Sequence, residues 1–267
     1  QWLDFKGLAE FAAEVGFDGV DLTVRPGGHV PPERARDDLP KAVEEIRKAG
    51  LVVPTITTAI NSAGDPNTKA ILETAGSLGI RYYRLGYFRY SDDEPVTMAL
   101  SHAKTELSKL ADLNKQFGVC GDYQNHAGTN YFGASIWDLV KATEGISPDL
   151  IGSQFDLRHA TVEGAQSWPI DFRMIANRVH TLVAKDFRWG GAEKTKVENC
   201  PLGEGMADFP SFFKLLNKKD FSGPISVHYE YPLGGAEKGS REPKLNRVEI
   251  LKAMQRDLRV LKSWLEA

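Results

Sequence analysis

Six stretches of this sequence end an apolar run in residues able to do chemistry. They are Arg25-Pro-Gly-Gly-His29, Arg84-Leu-Gly-Tyr87, Asp122-Tyr-Gln124-Asn125-His126, Asp156-Leu-Arg158-His159, Lys185-Asp186-Phe-Arg188-Trp189 and His228-Tyr-Glu230-Tyr-Pro232. The Asp156 stretch is the densest, because a proton acceptor, a fixed cation and an imidazole follow directly on the apolar run Leu150 to Phe155. Residues two apart on a strand share a face, which pairs Gln124 with His126, His228 with Glu230 and Asp156 with Arg158. Such a set suits proton transfer on a hydroxylated substrate. Oxygen and imidazole donors would also hold a divalent cation such as Mn, Zn, Co or Mg.

The structural alternatives differ in weight. One strand-end histidine is more often a hydrogen-bonded structural residue than a ligand, but His29, His126, His159 and His228 all fall at such ends, and that grouping argues for function. Lys185-Asp186 reads equally well as a local ion pair or as a working lysine. Trp168 and Trp189 read as loop anchors or as faces for a sugar ring. Cys120 reads as core, and the charged run Glu193 to Glu198 as a solvated surface.

The elements that position these residues follow from periodicity. Apolar spacing over Phe5, Leu8, Phe11, Ala12 and Val15 gives a helix stopped by Gly16, and a strand through Leu22 follows. The unit repeats, with strands beginning near 18, 51, 80, 118, 150, 179 and 224 and a long closing helix from about Arg247 to Leu265. Alternation of this kind specifies a parallel sheet with right-handed crossovers. The expected fold is therefore α/β, a (β/α)8 TIM barrel formed by one domain over residues 1–267, with the first strand missing from the N-terminus. In such a barrel the C-terminal strand ends form the active-site mouth. The runner-up is an open doubly wound sheet. No Gly-x-Gly-x-x-Gly follows a first strand, so no nucleotide cofactor is expected.

Net charge is -3 with dispersed cations, so nucleic acid is not an expected partner. No run of about 18 apolar residues is present, so no membrane span is expected, and no signal peptide is read at Gln1. The expected location is cytoplasmic, or periplasmic had an export signal been removed. Cys120 and Cys200 do not make a disulfide scaffold. The connection Trp189 to Met206, with four glycines, is expected to be a mobile lid.

The opening Gly16-Phe17-Asp18-Gly19-Val20-Asp21-Leu22, together with Asn125-His126, Asp156-x-x-His159, Lys185-Asp186 and Pro201-Leu-Gly-Glu-Gly205 with Asp208-Phe209, resembles the xylose isomerase-like TIM barrels of sugar phosphate isomerases and epimerases. The resemblance covers nearly the whole chain. It implies a metal held by Glu, Asp, His and Glu from successive strand ends, and carboxylates that move a proton beside a carbonyl. Here Gln124, Asp156, Val183 and His228 occupy those positions, with Glu230 able to take the last role. Barrels of this kind often dimerise, so a homodimer is compatible with the resemblance.

The leading expectation is a sugar or keto-sugar isomerase or epimerase. Glu230 or His126 would be the base, His159 the acid and Lys185 the electrophile toward an enolate oxygen, with Asp156, His228 and Glu230 holding a metal. Arg25, His29, Gln124, Asn125, Arg158 and Trp189 would bind the small-molecule sugar. Gln124 cannot accept a proton at neutral pH, whereas epimerisation wants an acid/base group on each face of the carbon. A keto-glycoside lyase or hydrolase needs only one base and one acid, and is the second expectation. A non-catalytic sugar-binding barrel with a degenerate site is the third.

Overall fold

The computed structural model describes residues 2–219 and 221–266. Helix α1 (Phe5–Val15) starts at Asp4, whose side chain accepts from the Gly7 N–H, and ends at Gly16, where φ of 96° suits a residue without Cβ. The repeats then run β1 (Leu22–Val24), α2 (Ala35–Lys48), β2 (Thr55–Thr58), α3 (Thr68–Ser77), β3 (Tyr82–Arg84), α4 (Val96–Phe117) and β4 (Cys120–Gln124). Next come α5 (Ile136–Ala142), β5 (Ile151–Asp156), α6 (Leu157–Gly164), α7 (Trp168–Ile175) and β6 (Val179–Ala184). The chain closes with β7 (Asp186–Gly190), β8 (Lys196–Cys200), α8 (Phe209–Asn217), β9 (Ile225–Val227) and α9 (Arg247–Leu265).

Seven strands form one parallel sheet in the order β1-β2-β3-β4-β5-β6-β9, curled as in a (β/α)8 barrel. Among the described residues no further strand pairs with β1 or β9. Asp21 links the two edges, accepting from Thr57 Oγ1 at 3.0 Å and from Ser226 Oγ at 3.0 Å. Strands β4 and β5 are buried at every residue, as both faces of such a sheet are covered. Outside the sheet, Phe155 packs on Phe172 and Phe212 with ring centroids 5.2 and 5.5 Å apart. Full burial of each such ring contributes about 2–3 kcal/mol before entropy is counted.

Three elements differ from the sequence expectation. Strand β2 starts at Thr55 rather than near Leu51, because Pro54 lacks an N–H and leaves Val52 in an isolated bridge to Gly19. The connection after Lys185 is an antiparallel hairpin, β7 on β8, pairing Asp186 with Cys200 and Gly190 with Lys196. Helix α6 follows β5 without a loop, so Asp156 and Arg158 do not share a strand face: Asp156 ends the strand and caps the helix that carries Arg158 and His159. No helix of the described residues is long and apolar enough to cross a membrane.

Candidate active site

A cavity of about 1000 Å³ runs from the C-terminal strand ends down the gap between β1 and β9, against α1 and α9, and is lined at its polar end by Thr23, Arg25, His29, Arg84, Tyr87, Gln124, His126, Lys185, His228 and Glu230. Lys185, at the exit of β6, stands at its centre. Its Nζ lies 2.7 Å from Glu230 Oε1, 2.8 Å from His159 Nε2 and 3.3 Å from Asp156 Oδ2.

Asp156 is fully buried and its oxygens are committed. Oδ1 accepts the His159 backbone N–H, while Oδ2 accepts Gln124 Nε2 at 2.8 Å and faces Lys185. Asn125 fixes the backbone of Asp156, donating to its carbonyl and accepting its N–H. Gln124 is equally engaged, since its Oε1 accepts from Tyr87 Oη at 2.5 Å and from Arg84 at 3.1 Å. Asn125 and Gln124 thus hold the site together with amides already in use. Glu230 differs, because its side chain remains 36% exposed. Burial pushes its carboxyl up, but the charge and hydrogen bond of Lys185 more than offset this and leave it below its ordinary range.

The imidazoles are neutral at physiological pH. Burial, reinforced by Lys185, lowers His159 well below its usual value, takes His126 to about 4 and lowers His228. Burial likewise takes His29 to about 4. Tautomers follow from the partners. His126 Nδ1 faces the Ala127 carbonyl at 2.8 Å and so carries the proton, which leaves Nε2 as an acceptor. His159 Nδ1 meets two donors, the Ala127 N–H and Arg158, so its proton is on Nε2, facing Lys185. Lys185 Nζ lies 2.8 Å from that nitrogen and donates to Glu230 Oε1, so His159, Lys185 and Glu230 form one contiguous contact chain. His126 stacks between Tyr131 and His159, with centroids 3.9 Å away on each side. His29 Nε2 is buried with no hydrogen-bond partner among the described residues.

Not every expected residue lines the cavity. Arg158 is buried behind His159, with its other end on Asn199 Oδ1 at 2.6 Å, and Trp189 lies on the hairpin. Asp186 forms no pair with Lys185. It accepts the backbone N–H groups of Phe187, Gly203, Gly205 and Ala207, anchoring the loop after β8. A Cβ at Gly205 would come within 2.1 Å of that carboxylate, so the glycine is required. Arg84, Tyr87 and Asn199 had no assigned role in the sequence reading. A charged residue ending the strand Ile80 to Leu85 was the available signal for Arg84; Asn199 gave none, because only pairing of β7 with β8 brings it to the mouth.

The metal expected on Asp156, His228 and Glu230 does not suit this arrangement. Among the described residues these side chains do not bring three ligating atoms within 4.8 Å of one another, whereas Cys120, Asp122 and His180 do. The Lys185 ammonium bridges the two carboxylates that a metal would need.

Comparison with known proteins agrees with the fold. An inosose dehydratase from Mesomycoplasma hyopneumoniae (strain 7448) is 26% identical over 171 residues, 59% of this chain and 53% of that protein. The chain thus spans about half the length of the curated relatives it matches. A D-tagatose 3-epimerase-like protein superposes with a TM-score of 0.71 at 18% identity, covering 99% of this chain and 94% of the other. A 3-keto-D-glucoside 4-epimerase from E. coli superposes with a TM-score of 0.70 at 13% identity, covering 97% and 94%. Residues 9–263 match the family described as xylose isomerase-like TIM barrel, and the chain belongs to that family.

Proposed function

We propose that this chain acts on a keto-sugar or keto-polyol, removing the proton beside the carbonyl and eliminating a neighbouring oxygen as water or an alcohol. The observation that carries this reading is the inequality of the two carboxylates. Asp156 is buried and saturated, while Glu230 is ionised, half-open to the cavity and adjacent to Lys185. One accessible base beside one cation suits elimination better than epimerisation, which wants a proton-transfer group on each face of the carbon.

Glu230 takes the C–H proton, and the electron pair moves into the carbonyl to give an enolate. Lys185, backed by His159, hydrogen-bonds the enolate oxygen and holds its charge. The enolate re-forms the carbonyl as the carbon–oxygen bond beyond breaks. The departing oxygen takes the proton from Glu230, which restores the carboxylate. His126 Nε2 accepts from a sugar hydroxyl and His29 Nε2 meets another. A dehydratase among the sequence relatives supports elimination on a related scaffold.

The test is product analysis after incubation with a keto-inositol and with a 3-keto-glycoside. The unsaturated ketone, with water or free aglycone, is the expected result. Conversion to an epimer or an aldose without cleavage would replace this reading with the isomerase one.

A further inference from the structure

At the opposite end of the barrel from the mouth, three side chains converge without a role in the chemistry above. Cys120 and Asp122 lie two apart on β4, and His180 lies near the start of β6. Cys120 Sγ is 3.6 Å from His180 Nδ1 and 3.7 Å from Asp122 Oδ1, and those two atoms are 2.9 Å apart. We propose that Cys120, Asp122 and His180 form a zinc site at the floor of the barrel.

The spacing is that of a coordination sphere. Zinc with bonds of about 2.3 Å to sulfur and 2.0–2.2 Å to nitrogen and oxygen has tetrahedral edges of about 3.6 Å to sulfur and about 3.4 Å between nitrogen and oxygen. Both sulfur edges are already met, and the third opens by about half an ångström when a metal replaces the His180–Asp122 hydrogen bond. Thr181 Oγ1 donates to Asp122 Oδ2 at 2.9 Å, orienting the carboxylate so that Oδ1 faces the other two donors. Gly152, on the strand between, leaves the room: a Cβ there would fall 2.2 Å from His180 Nδ1 and 2.4 Å from Asp122 Oδ1. The His180 side chain is 18% exposed, which gives an entry route and a water in the fourth position.

A thiolate, an imidazole and a carboxylate together favour zinc over magnesium or calcium. Binding releases the Cys120 thiol proton, for which the Pro148 carbonyl at 3.5 Å and Asp122 Oδ1 at 3.7 Å are alternative acceptors, and supplies the positive charge that a fully buried Asp122 lacks. The ion would staple β4 to β6 across β5, far from the mouth.

The experiment is titration of chelator-treated full-length protein with Co(II), followed by displacement with Zn(II). One cobalt per chain with a thiolate-to-cobalt charge-transfer band is expected, and zinc at about a hundredfold excess over its Kd should raise Tm by roughly 5–10 °C. The band should vanish in Cys120→Ser and weaken at least tenfold in apparent affinity in His180→Gln, whose partly exposed ring makes that variant the safer one to fold. It should persist in Cys200→Ser and Glu230→Gln. Absence of the band, its survival in Cys120→Ser, or its loss in Cys200→Ser would overturn the proposal.

Discussion

Replacing Lys185 with methionine keeps the length of the side chain and removes its charge. The ammonium lies 3.3 Å from Asp156 Oδ2 and 2.7 Å from Glu230 Oε1. At an effective dielectric of about 20, the contact with Asp156 alone is worth about 5 kcal/mol of gross attraction. Desolvation offsets much of that in the intact pair, but removing one partner leaves a buried carboxylate uncompensated, a loss of about 3–5 kcal/mol. The half-open Glu230 adds little to this figure. Catalysis should fall about 10²–10³-fold in kcat, as expected when the main donor to a developing oxyanion is lost. Glu230 also changes, since burial and the neighbouring Asp156 charge, both of which raise a carboxyl, are then opposed only by His228. The acid limb of the kcat/KM profile should therefore move from below the ordinary Glu value of about 4.3 to above it. Urea melts and pH–rate profiles of wild type and Lys185→Met make the comparison. A variant with kcat within threefold of wild type and an unmoved acid limb would refute the assignment.

Other outcomes follow from the same geometry. His29 and His126 titrate near 4 in the folded chain, against about 6.5 when unfolded, so unfolding takes up protons in that window. Stability should fall as pH drops from about 6.5 to 4, by up to about 1.4 kcal/mol per pH unit for each ring, and urea midpoints of His29→Gln and His126→Gln should show a shallower slope. Asp186→Ala leaves the loop after β8 without its anchor and should cost about 3 kcal/mol by urea melts, with faster proteolysis between Cys200 and Asp208. His29→Phe removes the unpaired buried nitrogen from the cavity and should raise KM about tenfold with kcat within twofold, measured on whichever keto-sugar is turned over.

The sheet and the clustering at its C-terminal end were legible because both rest on local signals: glycine stops, apolar runs and polar exits. Helix α6 was not, because its eight residues, Leu157–Gly164, carry no apolar stripe, and its start depends on Asp156 turning back to cap it. The hairpin was missed for a different reason. Its pairing lies across a glycine-containing turn, and Gly190-Gly191 read as flexibility. Which polar residues are free is also a three-dimensional property. Gln124 and Asn125 looked available for substrate, yet their amides are engaged with Arg84, Tyr87 and Asp156. Likewise a lysine two residues past Val183 gave no sign that its ammonium would bridge Asp156 and Glu230, so the sequence could not distinguish a metal-dependent mouth from one that carries its own cation.

The most direct test is hydrogen exchange at carbon. Incubation with a keto-inositol or a 3-keto-glycoside in deuterium oxide, followed by NMR, reports whether the proton beside the carbonyl is removed. The account predicts loss of that C–H signal, by exchange or elimination, in wild type and at least a hundredfold slower loss in Glu230→Gln. Retention of the signal in wild type, or equal rates in the variant, would contradict it.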